Sequence, residues 1–316
     1  MIIKSDYRIP SVTDGHAVLL RNKHLNDEDH RIPEHALLFV HGATYGATAT
    51  FDYAIEGESW MDCMAACGFD AWCLDLLGYG ESDRPVVMSE PADRHGPIVD
   101  TEHAVAEVGR AVDFILKDRQ IESVSLIGYS WGSAICGRFA GLFPEKVNAL
   151  VLSGALWVEQ ETASTPDRPE PGSYRTVDVE AVLKRWSTGL SADAFAQIIP
   201  PDRARQWAEA VVGSDPAFET LGVLRAPTGV IKDYLHCAAT GEPWYDPGLI
   251  TCPVQIVVGE LDVETTPEQG QKIFALLQAT PEKRITVIGH GTHTMLLENQ
   301  RRALFDVVGS FLLSVC

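Results

Sequence analysis

One stretch of the chain decides its fold: Val124-Ser125-Leu126-Ile127-Gly128-Tyr129-Ser130-Trp131-Gly132-Ser133-Ala134. The apolar run before Gly128 predicts a buried strand, and the residues that follow Gly132 predict the start of a helix. Gly-x-Ser-x-Gly at such a junction is typical of a nucleophile elbow, a sharp turn that presents a serine hydroxyl at the end of a sheet. We therefore predict that Ser130 is a nucleophile.

Outside this stretch, short apolar runs alternate with segments of helical periodicity. This pattern predicts an α/β fold with a mostly parallel, doubly wound sheet covered by helices. The predicted buried strands are residues 36–40, 69–74, 123–127, 149–152, 254–258 and 284–288. The predicted helices are residues 59–67, 100–118, 130–142, 267–278 and 298–315. Residues 6–25 predict two antiparallel edge strands joined by a turn at Asp14-Gly15.

Residues 155–247 break this alternation. They begin with a proline-rich loop at residues 166–172 and continue with amphipathic segments, so we expect a helical cap or lid inserted into a core of residues 1–154 and 248–316. The insertion contains four tryptophans, Trp157, Trp186, Trp207 and Trp244. Such tryptophans serve either packing or substrate recognition. Trp157 follows the junction directly and is our candidate for a substrate-binding residue.

A serine hydroxyl needs a general base, and the base needs a carboxylate that orients it. In the strand-elbow-helix arrangement these residues follow in the order serine, acid, histidine. Asp262 comes just after a buried strand and is the predicted acid, with Glu260 as the rival. His293 is the predicted base because the last helix follows it directly. His290 is the rival, and we expect it at the strand end in a supporting role.

A tetrahedral oxyanion also needs hydrogen-bond donors. We predict the backbone N–H groups of Trp131, directly after the nucleophile, and of Ala43, in the loop after residues 36–40. His41 begins that loop and is expected to brace it. His290 and His293 could form a metal pair, but no further ligand is evident, so we predict neither metal nor cofactor.

The charge of the chain narrows the possible partners. Its 316 residues include 44 acidic and 25 basic side chains, a formal charge of −19. Such a surface repels nucleic acids and anionic membranes, and no apolar run approaches the ~20 residues of a membrane span. The first residues do not resemble a signal peptide, and the seven cysteines are scattered. We therefore expect a cytoplasmic protein with reduced thiols and a small-molecule partner. The sequence leaves the oligomeric state open.

Five motifs together resemble the α/β-hydrolase fold superfamily. They are Phe39-Val40-His41-Gly42, Asp75-Leu76-Leu77-Gly78-Tyr79-Gly80-Glu81-Ser82, Gly128-Tyr129-Ser130-Trp131-Gly132, Gly259-Glu260-Leu261-Asp262 and Gly291-Thr292-His293. The resemblance implies the fold, a Ser-His-Asp triad and hydrolysis without a cofactor, with residues 75–82 as a structural turn. The elbow is locally similar to that of proline-iminopeptidase-like members. A serine at position 130 argues against dehalogenases and epoxide hydrolases of this fold, which carry an aspartate there.

The expected reaction is hydrolysis of an ester or lactone through an acyl-enzyme, with a small, apolar or aromatic substrate. Three alternatives remain open at this stage: hydrolysis of an amide or peptide bond, hydrolysis of a carbon–carbon bond in a vinylogous diketone, and a non-catalytic ligand receptor. The fold alone does not distinguish between them.

Overall fold

The computed structural model describes residues 1–26, 35–157 and 171–315. The strands in this part of the chain are β1 (Ile2–Pro10), β2 (Ala17–Leu25), β3 (Ala36–Val40), β4 (Asp70–Asp75), β5 (Val124–Tyr129), β6 (Val147–Ser153), β7 (Tyr174–Val177), β8 (Leu224–Pro227), β9 (Val254–Gly259) and β10 (Lys283–Ile288). Eight of them form one sheet in the order β1-β2-β4-β3-β5-β6-β9-β10. Strands β1 and β2 are antiparallel, and all pairings from β4 to β10 are parallel. This topology confirms the predicted mostly parallel sheet.

Most of the helices overlap predicted helical segments, whereas those of residues 47–51 and 218–221 were not predicted. The helices are α1 (Ala47–Phe51), α2 (Trp60–Ala66), α3 (Thr101–Arg119), α4 (Trp131–Leu142), α5 (Val179–Trp186), α6 (Ala192–Ile198), α7 (Pro201–Val212), α8 (Phe218–Leu221), α9 (Gly229–Thr240), α10 (Pro267–Leu276) and α11 (Arg301–Val315). Helix starts follow the capping residues: the Asp100 side chain accepts a hydrogen bond from His103 N, and Thr266 and Gln269 form a capping box. None of the helices described is long and apolar enough to cross a bilayer.

The central strands are buried on both faces. Leu38 and Leu126 belong to one hydrophobic cluster, which α3 and α4 cover, whereas Phe39 and Ile127 belong to another, which α2 and α11 cover. Because side chains alternate along a strand, neighbouring residues pack on opposite faces, and each large apolar side chain buried in this way stabilises the fold by about 1.5–3 kcal/mol. The sheet is therefore doubly wound, as predicted.

The segment between β6 and β9 carries α5–α9 and also the two-stranded antiparallel sheet of β7 and β8. The sequence predicts a mainly helical segment and no strands there, because two four-residue strands far apart in the chain lack a hairpin signal. The predicted proline-rich loop falls mostly on residues 158–170, which lie outside the described residues. The division into a core and a cap stays a prediction.

The parallel strands place the candidate residues at one edge of the sheet. His41 follows β3, Ser130 follows β5, Asp262 comes three residues after β9, and His293 comes five residues after β10. Since these strands run in the same direction, their carboxyl ends and the loops that follow them meet at the same edge.

Candidate active site

The backbone of Ser130 is strained. Its φ of 56° and ψ of −122° lie in a region that residues with a side chain rarely adopt. Ser130 N donates to Ser153 O at 2.9 Å, and the Ser133 hydroxyl donates to Ser130 O at 2.6 Å. These bonds from β6 and α4 hold the turn, so the serine projects from the sheet edge at the start of a helix.

The two glycines of the elbow are required by close backbone contacts. A Cβ atom on Gly128 would lie 2.3 Å from Gly132 O, and one on Gly132 would lie 2.1 Å from Val40 O. Because both neighbours are backbone atoms, they cannot move aside as a flexible side chain would. The Gly-x-Ser-x-Gly pattern therefore follows from the packing of α4 against β3 and β5.

Ser130, His293 and Asp262 form a continuous chain of hydrogen bonds. Ser130 Oγ lies 2.9 Å from His293 Nε2, and His293 Nδ1 lies 2.8 Å from Asp262 Oδ2. With a neutral imidazole protonated on Nδ1, the serine hydroxyl donates to Nε2 and Nδ1–H donates to the carboxylate. All three are buried, with exposed fractions of 7%, 7% and 3%. The structure thus brings together three residues that the sequence places 163 and 31 positions apart.

The rival acid and the rival base lie elsewhere. Glu260 and His290 are both exposed, and the Glu260 carboxylate accepts a hydrogen bond from His290 N at 2.9 Å. His290 has a φ of 59°, which turns the chain between β10 and His293. Within residues 1–26, 35–157 and 171–315, no group of three or more His, Cys, Asp or Glu side chains is arranged to bind a metal ion.

Further hydrogen bonds hold Asp262 and His293 in position. The sequence did not predict them. Thr265 Oγ1 donates to Asp262 Oδ2 at 2.7 Å, and Asp262 Oδ1 accepts from Glu264 N and Thr265 N at 2.9 and 2.8 Å. The Tyr129 hydroxyl donates to His293 O at 3.0 Å. An aspartate followed three and four residues later by threonines at the start of a helix is a turn and capping signal, so Thr265 could have been found.

The electrostatics of the site favour an ionised acid and a basic imidazole. Burial by itself would raise the pKa of Asp262, but His293 and the hydrogen bonds from Thr265 outweigh it and hold that pKa below its usual value. Burial by itself would lower the pKa of His293, but the carboxylates of Asp262 and Glu264 outweigh it and raise that pKa. The pair therefore favours a proton on His293 rather than on Asp262.

The loop after β3 lies against the elbow. His41 Nδ1–H donates to Gly42 O at 2.7 Å, and Leu76 N donates to His41 Nε2 at 3.2 Å, so His41 links the loop to the end of β4. Ala43 O accepts from the Tyr79 hydroxyl at 3.3 Å. Ala43 and Trp131 line the same cavity as Ser130, and Trp131 is the first residue of α4, where N–H groups lack intrahelical partners.

A cavity of about 380 Å³ opens beside Ser130. Residues from the segment between β6 and β9 supply most of its apolar wall: Leu156, Val230, Ile231, Tyr234 and Trp244. A narrower recess of about 20 Å³ lies against Ser130 and His293, with Trp186 and Trp207 in its wall. The structure does not bring Trp157 to either wall. Its ring packs against Tyr245, with the centroids 6.0 Å apart, and its neighbour Leu156 lines the cavity instead.

Three charged side chains near Ser130 were not predicted: Arg175, Arg185 and Glu264. Arg185 Nε donates to Glu264 Oε1 at 2.8 Å, and Arg185 Nη1 donates to Thr44 Oγ1 at 2.9 Å. Arg185 comes three residues after the buried Val182 in α5, a helical spacing that could have indicated its position. Arg175 lies in the unpredicted strand β7, so no local pattern marks it.

Comparisons with known proteins identify the family. A family model described as the alpha/beta hydrolase fold matches residues 35–300. A 2-hydroxy-6-oxo-2,4-heptadienoate hydrolase from Pseudomonas putida is 28% identical over 57% of this chain and 65% of its own length. A proline iminopeptidase from Heyndrickxia coagulans is 23% identical over 76% of this chain and 80% of its own length.

Solved structures support the same fold. An esterase from Exiguobacterium antarcticum superposes with a TM-score of 0.63 at 16% identity, covering 98% of this chain and 99% of the esterase. At this identity the similarity supports the fold and does not indicate the substrate. The family model covers well over half of the chain, and its limits enclose the elbow, the acid and the base. The chain therefore belongs to the alpha/beta hydrolase fold family.

Proposed function

We propose that this protein is a serine hydrolase that cleaves an ester or lactone of a small, largely apolar or aromatic substrate through an acyl-enzyme. The observation that carries the proposal is the chain of hydrogen bonds from Ser130 through His293 to Asp262, at 2.9 and 2.8 Å. The strained backbone of Ser130 supports it, because residues in rarely populated backbone conformations occur often at active sites.

In the proposed mechanism Ser130 Oγ attacks the carbonyl carbon while His293 Nε2 takes the hydroxyl proton. Asp262 stabilises the imidazolium that forms, and the N–H groups of Ala43 and Trp131 donate to the oxyanion. His293 then gives the proton to the departing alcohol oxygen, which leaves an acyl group on Ser130. A water molecule, deprotonated by His293, attacks the acyl carbon and releases the acid and the free serine.

The cavity supports the substrate class. Its volume of about 380 Å³ is near the lower end of the ~300–1,000 Å³ of small-molecule sites, and its wall is mostly aliphatic and aromatic. The raised pKa of His293 suits a general base that works near neutral pH. Cleavage of an ester also makes a smaller demand on the site than cleavage of an amide, because an alcohol oxygen leaves the tetrahedral intermediate more readily than an amine nitrogen.

A second candidate, hydrolysis of a carbon–carbon bond next to a carbonyl group, rests on one relative. The Pseudomonas putida protein acts, by its name, on an oxo-dienoate, a conjugated substrate. The same serine and histidine would serve that reaction. The two candidates differ in the bond that is broken, so direct substrate comparison distinguishes them.

The test combines labelling with turnover. A fluorophosphonate probe should label the wild-type protein at Ser130, as located by peptide mass spectrometry, and should not label Ser130→Ala. Wild type should release p-nitrophenolate from p-nitrophenyl esters of short and aromatic acids faster than it releases aniline from aminoacyl anilides. Hydrolysis of an oxo-dienoate at a much higher kcat/KM than any ester would favour the second candidate. Absence of both labelling and turnover would contradict the proposal.

A further inference from the structure

The wall of the cavity beside Ser130 carries an unbalanced positive charge. Its charged residues, among those described, are Arg175, Arg185 and Glu264. Arg185 and Glu264 form a two-contact ion pair, from Nε to Oε1 at 2.8 Å and from Nη2 to Oε2. Arg175 forms no ion pair with any described carboxylate. The cavity therefore has one guanidinium more than it has carboxylates.

The hydrogen bonds of Arg175 leave part of its guanidinium unused. Its Nη2 donates to two uncharged acceptors, Ala43 O at 3.1 Å and Thr44 Oγ1 at 2.6 Å. Its Nη1 is buried and has no hydrogen-bond partner among the described residues. Burial lowers the pKa of Arg175 because the charged form loses hydration, although the group stays protonated. An unpaired buried N–H of a charged group is unfavourable, and an anionic ligand would supply the missing acceptor.

Other arginines with little exposed surface are paired with carboxylates. Arg225 pairs with Asp215 at 2.7 Å, and Arg119 pairs with Asp70 at 2.7 Å. Arg84 lacks a carboxylate, but it donates three hydrogen bonds to backbone carbonyls and lies outside the cavity wall. Arg175 is thus unusual in combining an unused nitrogen, no counter-charge and a place in the wall beside Ser130.

We propose that Arg175 anchors a carboxylate subsite, so that the preferred ester carries a carboxylate a few bonds from the scissile carbonyl. This inference rests on the proposed function and names its substrate class more closely. Both hydrogens of Nη2 are already donated, so Nη1 is the nitrogen that is left to donate to a carboxylate oxygen, in a hydrogen bond strengthened by the two opposite charges. One uncompensated charge in a mainly apolar cavity suits a monoanion, whose remaining surface contacts Val230 and Trp244. The overall charge of −19 gives no general attraction for anions, so the preference must come from this local group.

The turnover test uses p-nitrophenyl hemiesters of succinate, glutarate and adipate, each compared with the corresponding methyl ester, in which the charge is masked. The readout is the ratio of kcat/KM for the charged ester to that for the masked ester. In wild type at least one diacid should give a ratio well above one. Arg175→Gln should lower that ratio about 10- to 100-fold, the usual effect of losing a charged hydrogen bond. Arg175→Lys, which keeps the charge but has a single nitrogen in place of Nη1 and Nη2, should be intermediate.

Lys184→Gln is the matched control. Lys184 is exposed on α5 and lies outside the cavity wall, so this variant removes one positive charge without touching the subsite. Its ratio should equal that of wild type. A wild-type ratio at or below one for all three diacids would overturn the proposal. So would an Arg175→Gln variant that slows charged and masked esters by the same factor, because Arg175 would then only brace the loop through Ala43 O.

A binding measurement separates this proposal from the proposed function. Calorimetry on Ser130→Ala compares the monomethyl and dimethyl esters of the same diacids, and needs no turnover. Tighter binding of a monomethyl ester, lost in the Ser130→Ala/Arg175→Gln double variant, supports the subsite even if wild type hydrolyses no ester. If wild type turns over esters but Ser130→Ala binds both forms equally or binds neither, the subsite is wrong and the hydrolase assignment stands.

Discussion

The Glu264 carboxylate lies 3.8 Å from Nε2 of His293, the same nitrogen that faces Ser130. A second acidic residue therefore acts on the imidazole from the cavity side, opposite Asp262. Glu264 is itself held by Arg185 of α5, which also donates to Thr44 in the loop after β3. The basicity of His293 is in this way linked to the position of a helix outside the main sheet.

Glu264→Gln should shift the acidic limb of the kcat/KM profile to lower pH. The carboxylate raises the pKa of His293, so removing it lowers that pKa and keeps the base neutral in more acidic solution. The unpaired Arg185 guanidinium acts in the same direction. Measuring kcat/KM for one ester from pH 4 to 9 would locate the acidic limb. Glu260→Gln is the control, because it makes the same charge change at an exposed residue. A limb that stays in place or moves to higher pH would contradict the electrostatic argument.

Ser130→Ala should reduce kcat by roughly 10⁴-fold or more, because loss of the nucleophile removes the covalent step. The variant adds no atom at the crowded elbow, so its urea midpoint should stay near that of wild type. A variant that keeps more than a tenth of the wild-type rate would disprove the assignment of Ser130.

His293→Ala should cost nearly as much rate as Ser130→Ala, and the double variant should be hardly worse than either single one, since the members of a triad act as a unit. His290→Ala is the control. It removes an exposed ring whose residue contacts Glu260 through its backbone N–H, so most of the activity should remain. An inactive His290→Ala beside an active His293→Ala would mean that the base is misassigned.

Asp262→Asn should lower kcat by about 10⁴-fold, because the amide neither stabilises the imidazolium nor selects its tautomer. Glu260→Gln should change kcat by much less, since its carboxylate is exposed and bonds to His290 N rather than to His293. Steady-state rates of the two variants on the same ester, measured side by side, decide which carboxylate is the acid. The reverse order of effects would identify Glu260.

Gly132→Ala should destabilise the protein by about 1–3 kcal/mol or more, because the added methyl group meets Val40 O at 2.1 Å and overpacks the elbow. Gly96→Ala is the matched control, since a Cβ atom at exposed Gly96 meets no atom within 4 Å. Its free energy of unfolding should change by less than about 0.5 kcal/mol. Urea denaturation monitored by tryptophan fluorescence measures both variants. Equal stability of the two would contradict the proposed role of the elbow contacts.

Local patterns in the sequence indicated the α/β fold, the elbow at Ser130, and Asp262 and His293 as candidate acid and base, with Glu260 and His290 as rivals. Each of these depends on neighbours in the chain. Apolar runs of strand length mark buried strands, two glycines mark a turn too tight for a Cβ atom, and loops that follow parallel strands must meet at one sheet edge.

Tertiary structure alone decided the environment of these residues. Arg175 lines the cavity because its strand β7 pairs with β8. The paired residues Val177 and Leu224 are 47 positions apart in the chain, and no local pattern encodes such a pairing. Trp157 was expected at the substrate, but its ring packs on Tyr245, and Leu156 lines the cavity instead. Adjacent residues outside regular structure point in directions set by the packing around them. The fold and the three aligned side chains could therefore be predicted, whereas the charge and shape of the cavity depend on contacts between distant segments.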